Sequence, residues 1–182
     1  MWQQEAYIKA LRFASEAHTG QYLPGSDIPY INHLANVAME VMSVIARGEI
    51  LGQANLAVQC ALLHDCIEDT AVSYDEITTH FGKNVADGVL SLTKNKKLPS
   101  KSEQMADSLE RIRGQAEAVW CVKLADRITN LQPPPSHWKR DKALAYQQEA
   151  QLILNKLKAA SPLLAIRLEQ KINDFTGLMP DE

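Results

Sequence analysis

Four polar side chains interrupt the least polar stretch of this 182-residue chain. From Leu56 to Ile67 almost every residue is apolar, yet the segment carries His64 and Asp65 and runs on to Glu68 and Asp69 in the order HDxxED. On one continuous helix His64 lies under Glu68, while Asp65 stands three residues from Glu68 and four from Asp69, so all four crowd one side. Three carboxylates in a partly buried place repel one another and lose hydration, which implies a compensating cation. A metal ion is the simplest one. The competing reading is that these residues end the helix at solvent, the ordinary fate of Glu and Asp; the HD pair alone does not decide between the two.

Two distant segments bear on that choice. Pro29-Tyr30-Ile31-Asn32-His33 sets a histidine at the opening of a helix directly after a loop. Val119 to Ala125 is a nearly apolar run, broken by Lys123 and closed by Asp126, a carboxylate where core is expected. Together His33, His64, Asp65 and Asp126 offer two imidazoles and two carboxylates, a mixed N/O set that leaves positions open for water and substrate, as in a catalytic metal site. Absence of thiolates argues against structural zinc, and the carboxylate share favours Mn2+, with Fe2+, Co2+ or Zn2+ as alternatives. His18, His80 and His137 are expected to lie outside the ligand set. Arg127, next to Asp126, either holds a carboxylate behind the ligands or makes a surface ion pair.

The elements that must position these residues are helices. Apolar residues recur at three- and four-residue spacing through Tyr7, Leu11, Ala14 and Ala17, and again through Val37, Val41, Val44 and Ile45. The stretch from Leu56 to Ile67, apolar almost all round, reads as the buried central helix of a bundle. Ser73 with Glu76 and Ser100 with Glu103 have capping-box spacing, and Ser161-Pro162 joins a cap to a first-turn proline. Breaks fall at Gly20 to Pro29, at Gly82, at Lys94 to Pro99 and at Pro133-Pro134-Pro135. The expectation is an all-α bundle of eight or nine helices. Residues 1–182 are expected to form one domain, with its core about 7–157, a C-terminal helix about 161–174 and a frayed tail.

Composition excludes several classes of function. A net charge of −3 and a pI near 6.0 give no global reason to expect nucleic acid or an anionic membrane as partner. Cys60, Cys66 and Cys121, odd in number and without CxxC spacing, suit reduced thiols and a cytoplasmic setting. Neither a signal peptide nor a spanning segment is expected.

The segments PYINH (29–33), LLHDCIEDT (62–70), FG (81–82), SLTK (91–94) and VKLADRITNL (122–131), in this order, resemble the Rel/Spo-type HD-domain hydrolases. The likeness runs from about Tyr7 to Leu157 and is to the stand-alone small alarmone hydrolases, with no alarmone synthesis expected. It implies an all-helical fold and hydrolysis of the 3′-pyrophosphate of (p)ppGpp, with one Mn2+ held by residues matching His33, His64, Asp65 and Asp126. Glu68 and Asp69 match the family's catalytic pair, which orients or deprotonates a water whose pKa the metal lowers. By the same matching Lys96 contacts phosphate, Asn130 the ribose region and Tyr146 the nucleotide pocket. Among Lys94, Lys96, Lys97 and Lys101 a solvated charge run competes with a phosphate clamp, and ordinary packing competes at Asn130 and Tyr146.

Two departures bear on substrate identity. The loop Tyr22-Leu23-Pro24-Gly25-Ser26-Asp27 holds no lysine or arginine where the family carries a basic pair, although Tyr22 offers a ring for stacking. Leu131 to Trp138 is a proline-rich shortcut in place of a longer connection. The expected substrate is therefore a nucleotide alarmone such as (p)ppGpp or (p)ppApp. The alternatives are a nucleotide phosphatase of other specificity, acting on NADPH or a nucleoside monophosphate, and a non-catalytic nucleotide-binding module. The intact Glu68-Asp69 pair and ligand set argue against the last.

Overall fold

A computed structural model describes residues 2–178; the end of the tail expected to fray, residues 179–182, lies outside the described residues. The chain runs α1 (Gln4–Ala17), α2 (Ile31–Ile45), α3 (Ala54–Leu63), α4 (Cys66–Asp69), α5 (Tyr74–Phe81), α6 (Lys83–Leu92), α7 (Lys101–Arg113), α8 (Glu117–Asn130), α9 (Arg140–Leu157) and α10 (Pro162–Thr176). Short 3-10 turns at Leu51–Gln53 and Lys158–Ala160 complete it. Among the described residues nine helices have eight residues or more, α4 has four, and no strand forms beyond an isolated Tyr22–Pro29 bridge.

Helix α3 is the centre. It packs against α1, α2, α6 and α8, and Ala57, Val58 and Cys60 to Leu63 are all buried. Asn55, Leu56 and Gln59 keep partial exposure, and a shell of helices covers the rest of its apolar surface. The approach of α6 is closest at Gly88, where a Cβ would meet Cys60 Sγ at 2.7 Å and Val119 Cγ2 at 3.1 Å. Only a residue without a side chain lets α6 lie this near α3 and α8.

The continuous helix expected through Ile67 is interrupted. Helix α3 ends at Leu63, Asp65 departs from helical geometry (φ −98°, ψ −2°), and α4 is a single turn. The cause is local. His64 Nδ1 donates to the Ala61 carbonyl at 2.9 Å, engaging the acceptor that a continuing helix would use for the Asp65 N–H.

The helix starts follow the sequence signals. Ser73 and Glu76 form a reciprocal capping box, the Ser100 hydroxyl accepts from the Glu103 N–H, and the Ser161 hydroxyl accepts from the Leu164 N–H with Pro162 following it. Gly82, at φ +85°, turns the chain between α5 and α6. All three cysteines are free and buried, and burial pushes each thiol up to about 12. No described helix is long and apolar enough to cross a membrane.

Candidate metal centre

Three helices and one turn bring the polar residues of the apolar runs to one place. His33 comes from the first turn of α2, His64 and Asp65 from the break after α3, and Asp126 from the buried face of α8. One ligand atom each from His33, His64 and Asp126 lies within 4.8 Å of the others, and all three side chains are buried. Asp126 Oδ1 is 3.4 Å from His33 Nε2 and 3.7 Å from His64 Nε2. Asp65 Oδ2 completes the group at 3.7 Å from His33 Nε2 and 3.0 Å from His64 Nε2.

His64 fixes the chemistry of this group. A carbonyl can only accept, so Nδ1 carries the proton it donates to Ala61, and Nε2 is the nitrogen turned toward the carboxylates. Asp65 is near Nε2 but not aligned for a hydrogen bond, and that nitrogen is buried without a partner. A buried, unpartnered ring nitrogen facing two carboxylates is costly as it stands and well suited to a divalent cation. Burial alone disfavours the charged ring, but Asp65 and Asp126 outweigh it and hold the His64 pKa well above its usual value. The same crowding acts on the acids: burial opposes their ionisation, while His64 beside Asp65, and Lys123 with the two histidines beside Asp126, keep both well below the carboxylate range. The donor set fits a divalent metal, which would replace the proton on His64.

Each carboxylate is also held from behind. The Tyr30 hydroxyl donates to Asp65 Oδ2 at 2.6 Å. Lys123, itself buried, donates to Asp126 Oδ2 at 3.0 Å, and Asn130 Nδ2 donates to Asp126 Oδ1 at 2.5 Å. Asn130, expected at the ribose, is thus seated on a ligand candidate. Neither Tyr30 nor Lys123 was singled out as a site residue from sequence. Lys123 did leave a signal, as a charge breaking an apolar run, whereas Tyr30 at a helix start reads as ordinary packing.

Glu68 and Asp69 follow Asp65 on α4, where the Asp69 N–H donates to the Asp65 carbonyl at 2.9 Å, but their carboxylates take other partners. The Glu68 carboxylate accepts from the Lys94 N–H at 2.9 Å and lies 3.9 Å from Lys94 Nζ. Lys96 Nζ donates to the Glu68 carbonyl at 2.8 Å and reaches Asp69 Oδ1 at 3.5 Å, and Asp69 is 44% exposed. The single crowd of carboxylates expected from helical periodicity is therefore two groups, one set among His33, His64 and the buried Lys123, the other beside Lys94 and Lys96.

Arg127 is buried, donates to Glu149 and lies 4.4 Å beneath the Tyr146 ring, so it holds a carboxylate rather than making a surface pair. Its Nε and Nη1 are buried without partners. Tyr146 meets Trp138 edge-on at 5.3 Å, and both line a cavity of about 390 Å³ with Lys101, Met105 and Lys142. Tyr22 stands 55% exposed in the loop that lacks basic residues. Among the other histidines, His80 packs on Phe13 and His137 is exposed, while His18 is buried against Tyr30.

Residues 10–163 match the family described as HD domain. A guanosine-3′,5′-bis(diphosphate) 3′-pyrophosphohydrolase MESH1 of Xenopus tropicalis is 33% identical over 92% of this chain and 93% of its own length. The guanosine-3′,5′-bis(diphosphate) 3′-pyrophosphohydrolase of Aquifex aeolicus is 37% identical over 70% of this chain, which spans 17% of that longer protein. A solved structure described as a metazoan ortholog of SpoT that hydrolyzes ppGpp superposes with a TM-score of 0.80 at 26% identity, covering 98% of this chain and 99% of that one. The chain belongs to the HD-domain family, among its Rel/Spo-type members.

Proposed function

We propose that this protein is a Mn2+-dependent hydrolase that releases pyrophosphate from the 3′ position of a nucleotide alarmone such as (p)ppGpp or (p)ppApp. The observation that carries the reading is the buried, unpartnered His64 Nε2 set against Asp65, Asp126 and His33. The names of the relatives supply the substrate class. In this reading His33, His64, Asp65 and Asp126 hold the ion, which when bound lowers the pKa of a water and neutralises phosphate oxygens. Glu68 and Asp69 would orient the attacking water and accept one proton from it as it adds to phosphorus in line; the bond from phosphorus to the ribose 3′ oxygen would break, and that proton would pass to the 3′ oxygen. Lys94 and Lys96 stand beside the acidic pair, and in this reading Lys96 meets the departing pyrophosphate. Tyr146 is the wall of the nucleotide pocket, with Arg127 supporting its ring from behind to bind the substrate through it, and Asn130 borders the ribose. We further read residues 1–182 as one domain working in a reducing cytoplasm, a setting that three free buried thiols support.

One observation favours a second reading. The loop from Tyr22 to Asp27 offers an exposed ring and no cation, so the base recognised need not be guanine, and a phosphatase acting on NADPH or a nucleoside monophosphate fits equally well. The test is hydrolysis of ppGpp, ppApp, NADPH and simple nucleotides by Mn2+-loaded protein, with products identified. Pyrophosphate from an alarmone is expected; orthophosphate alone supports the second reading and contradicts the first.

A further inference from the structure

The break after Leu63 creates a mechanical problem. Helix α4 is one turn long, too short to be stable by its own backbone bonds, yet it carries Glu68 and Asp69 and follows directly on Asp65. Its geometry must be imposed from outside. Lys94 and Lys96 bond it at Glu68, and a second set of contacts comes from the C-terminal end of α1 and the loop that follows it. Tyr30 donates its hydroxyl to Asp65 Oδ2 at 2.6 Å, and Gln21 Nε2 donates to the Asp69 carbonyl at 2.9 Å. These two residues are tied to each other, since the Tyr30 N–H donates to the Gln21 carbonyl at 2.9 Å.

His18 closes the network. Its Nδ1 lies 2.7 Å from Gln21 Oε1, an atom that only accepts, so Nδ1 carries the proton and donates. Its ring stacks on Tyr30 with centroids 5.0 Å apart and planes 25° from parallel. The ring is 3% exposed, and Nε2 is buried with no partner. A residue kept only to fill space there would be apolar, because burying an unpaired ring nitrogen costs stability. The imidazole earns its place through the Nδ1 donor that orients Gln21.

We propose that His18, Gln21 and Tyr30 are positioning residues, forming a brace that sets Asp65 for metal binding and sets the turn bearing Glu68 and Asp69. This rests on the metal site proposed above. Tyr30 acts on the ligand and Gln21 on the acidic turn, so the two halves of the brace have separable effects. Tyr30→Phe keeps the ring stacked on His18 and removes only the hydroxyl. Gln21→Met keeps bulk and removes the bond to the Asp69 carbonyl, and His18→Phe keeps the ring and removes the bond that orients Gln21.

The experiment strips the full chain of metal with chelator and titrates it with Mn2+ alone, following free Mn2+ by electron paramagnetic resonance. Thermal midpoints of the metal-free proteins and steady-state kinetics at saturating Mn2+ accompany it. Tyr30→Phe is expected to weaken Mn2+ binding about 10- to 100-fold with the metal-free midpoint little changed. Gln21→Met and His18→Phe are expected to bind Mn2+ within about threefold of wild type, and to lose about 10- to 100-fold in kcat with KM nearly constant. Wild-type affinity in Tyr30→Phe overturns the brace and leaves the metal site standing. So does a loss in every variant that only follows its fall in thermal midpoint. Failure of the wild type to bind Mn2+ overturns the metal site and the brace together.

Discussion

Asp65 and Asp126 differ from Glu68 and Asp69 in surroundings rather than in residue type. The first two are enclosed with His33 and His64, and their outer bonds run to Tyr30, Lys123 and Asn130. The second two sit on a one-turn helix beside Lys94 and Lys96, and Asp69 is nearly half exposed. In the first group Lys123 offsets only one of the two buried carboxylates and the imidazoles can bind a metal, whereas Lys94 and Lys96 each stand against one carboxylate of the second. Carboxylates in such different settings take different roles, ligand in one case and proton handling in the other.

The comparison breaks most readily at the ligands. Asp65→Asn should abolish metal retention and lower kcat/KM by more than about 100-fold, since loss of an outer partner alone can cost that much. Metal content by plasma emission, measured beside activity, checks it. Glu68→Gln tests the other pair. It should retain metal and lose on the order of 10² to 10⁴ in kcat, the range of general acid–base contributions. Loss of metal from Glu68→Gln would merge the two groups into one.

Smaller effects sharpen the picture. Lys96→Met should raise KM for an alarmone by about 10-fold, while the exposed Lys96–Asp69 pair itself is worth less than about 1 kcal/mol of stability. Chemical denaturation and initial-rate kinetics separate these two quantities. Ser73→Ala, at the capping box of α5 and outside both groups, should cost about 1 kcal/mol of stability and leave turnover per folded molecule unchanged.

The parts legible in the sequence were those where burial and polarity conflict. His64, Asp65 and Asp126 stand out because each interrupts an apolar run, and the structure brings them together with His33. Caps at Ser73, Ser100 and Ser161 were equally legible, since their bonds are local. The break at His64 was not. Nothing in the residues from Leu62 to Ile67 disfavours helix strongly, and the competition of the His64 ring for the Ala61 carbonyl depends on where the tertiary site draws that ring. The same reason hid Tyr30 and Gln21, whose partners lie 35 and 48 residues away. Lys94 and Lys96, the partners that set Glu68 and Asp69 apart, are likewise distant, 26 and 27 residues away.

The central claim is that His33, His64, Asp65 and Asp126 hold one divalent ion on which hydrolysis depends. The most direct measurement is a Mn2+ titration of chelator-stripped wild-type protein, with bound metal and pyrophosphate release from ppGpp and ppApp read on the same samples. The account predicts no activity without metal and a rise in activity that follows one bound equivalent to saturation. Full activity in the stripped protein, or saturation of the site without any hydrolysis, would contradict it.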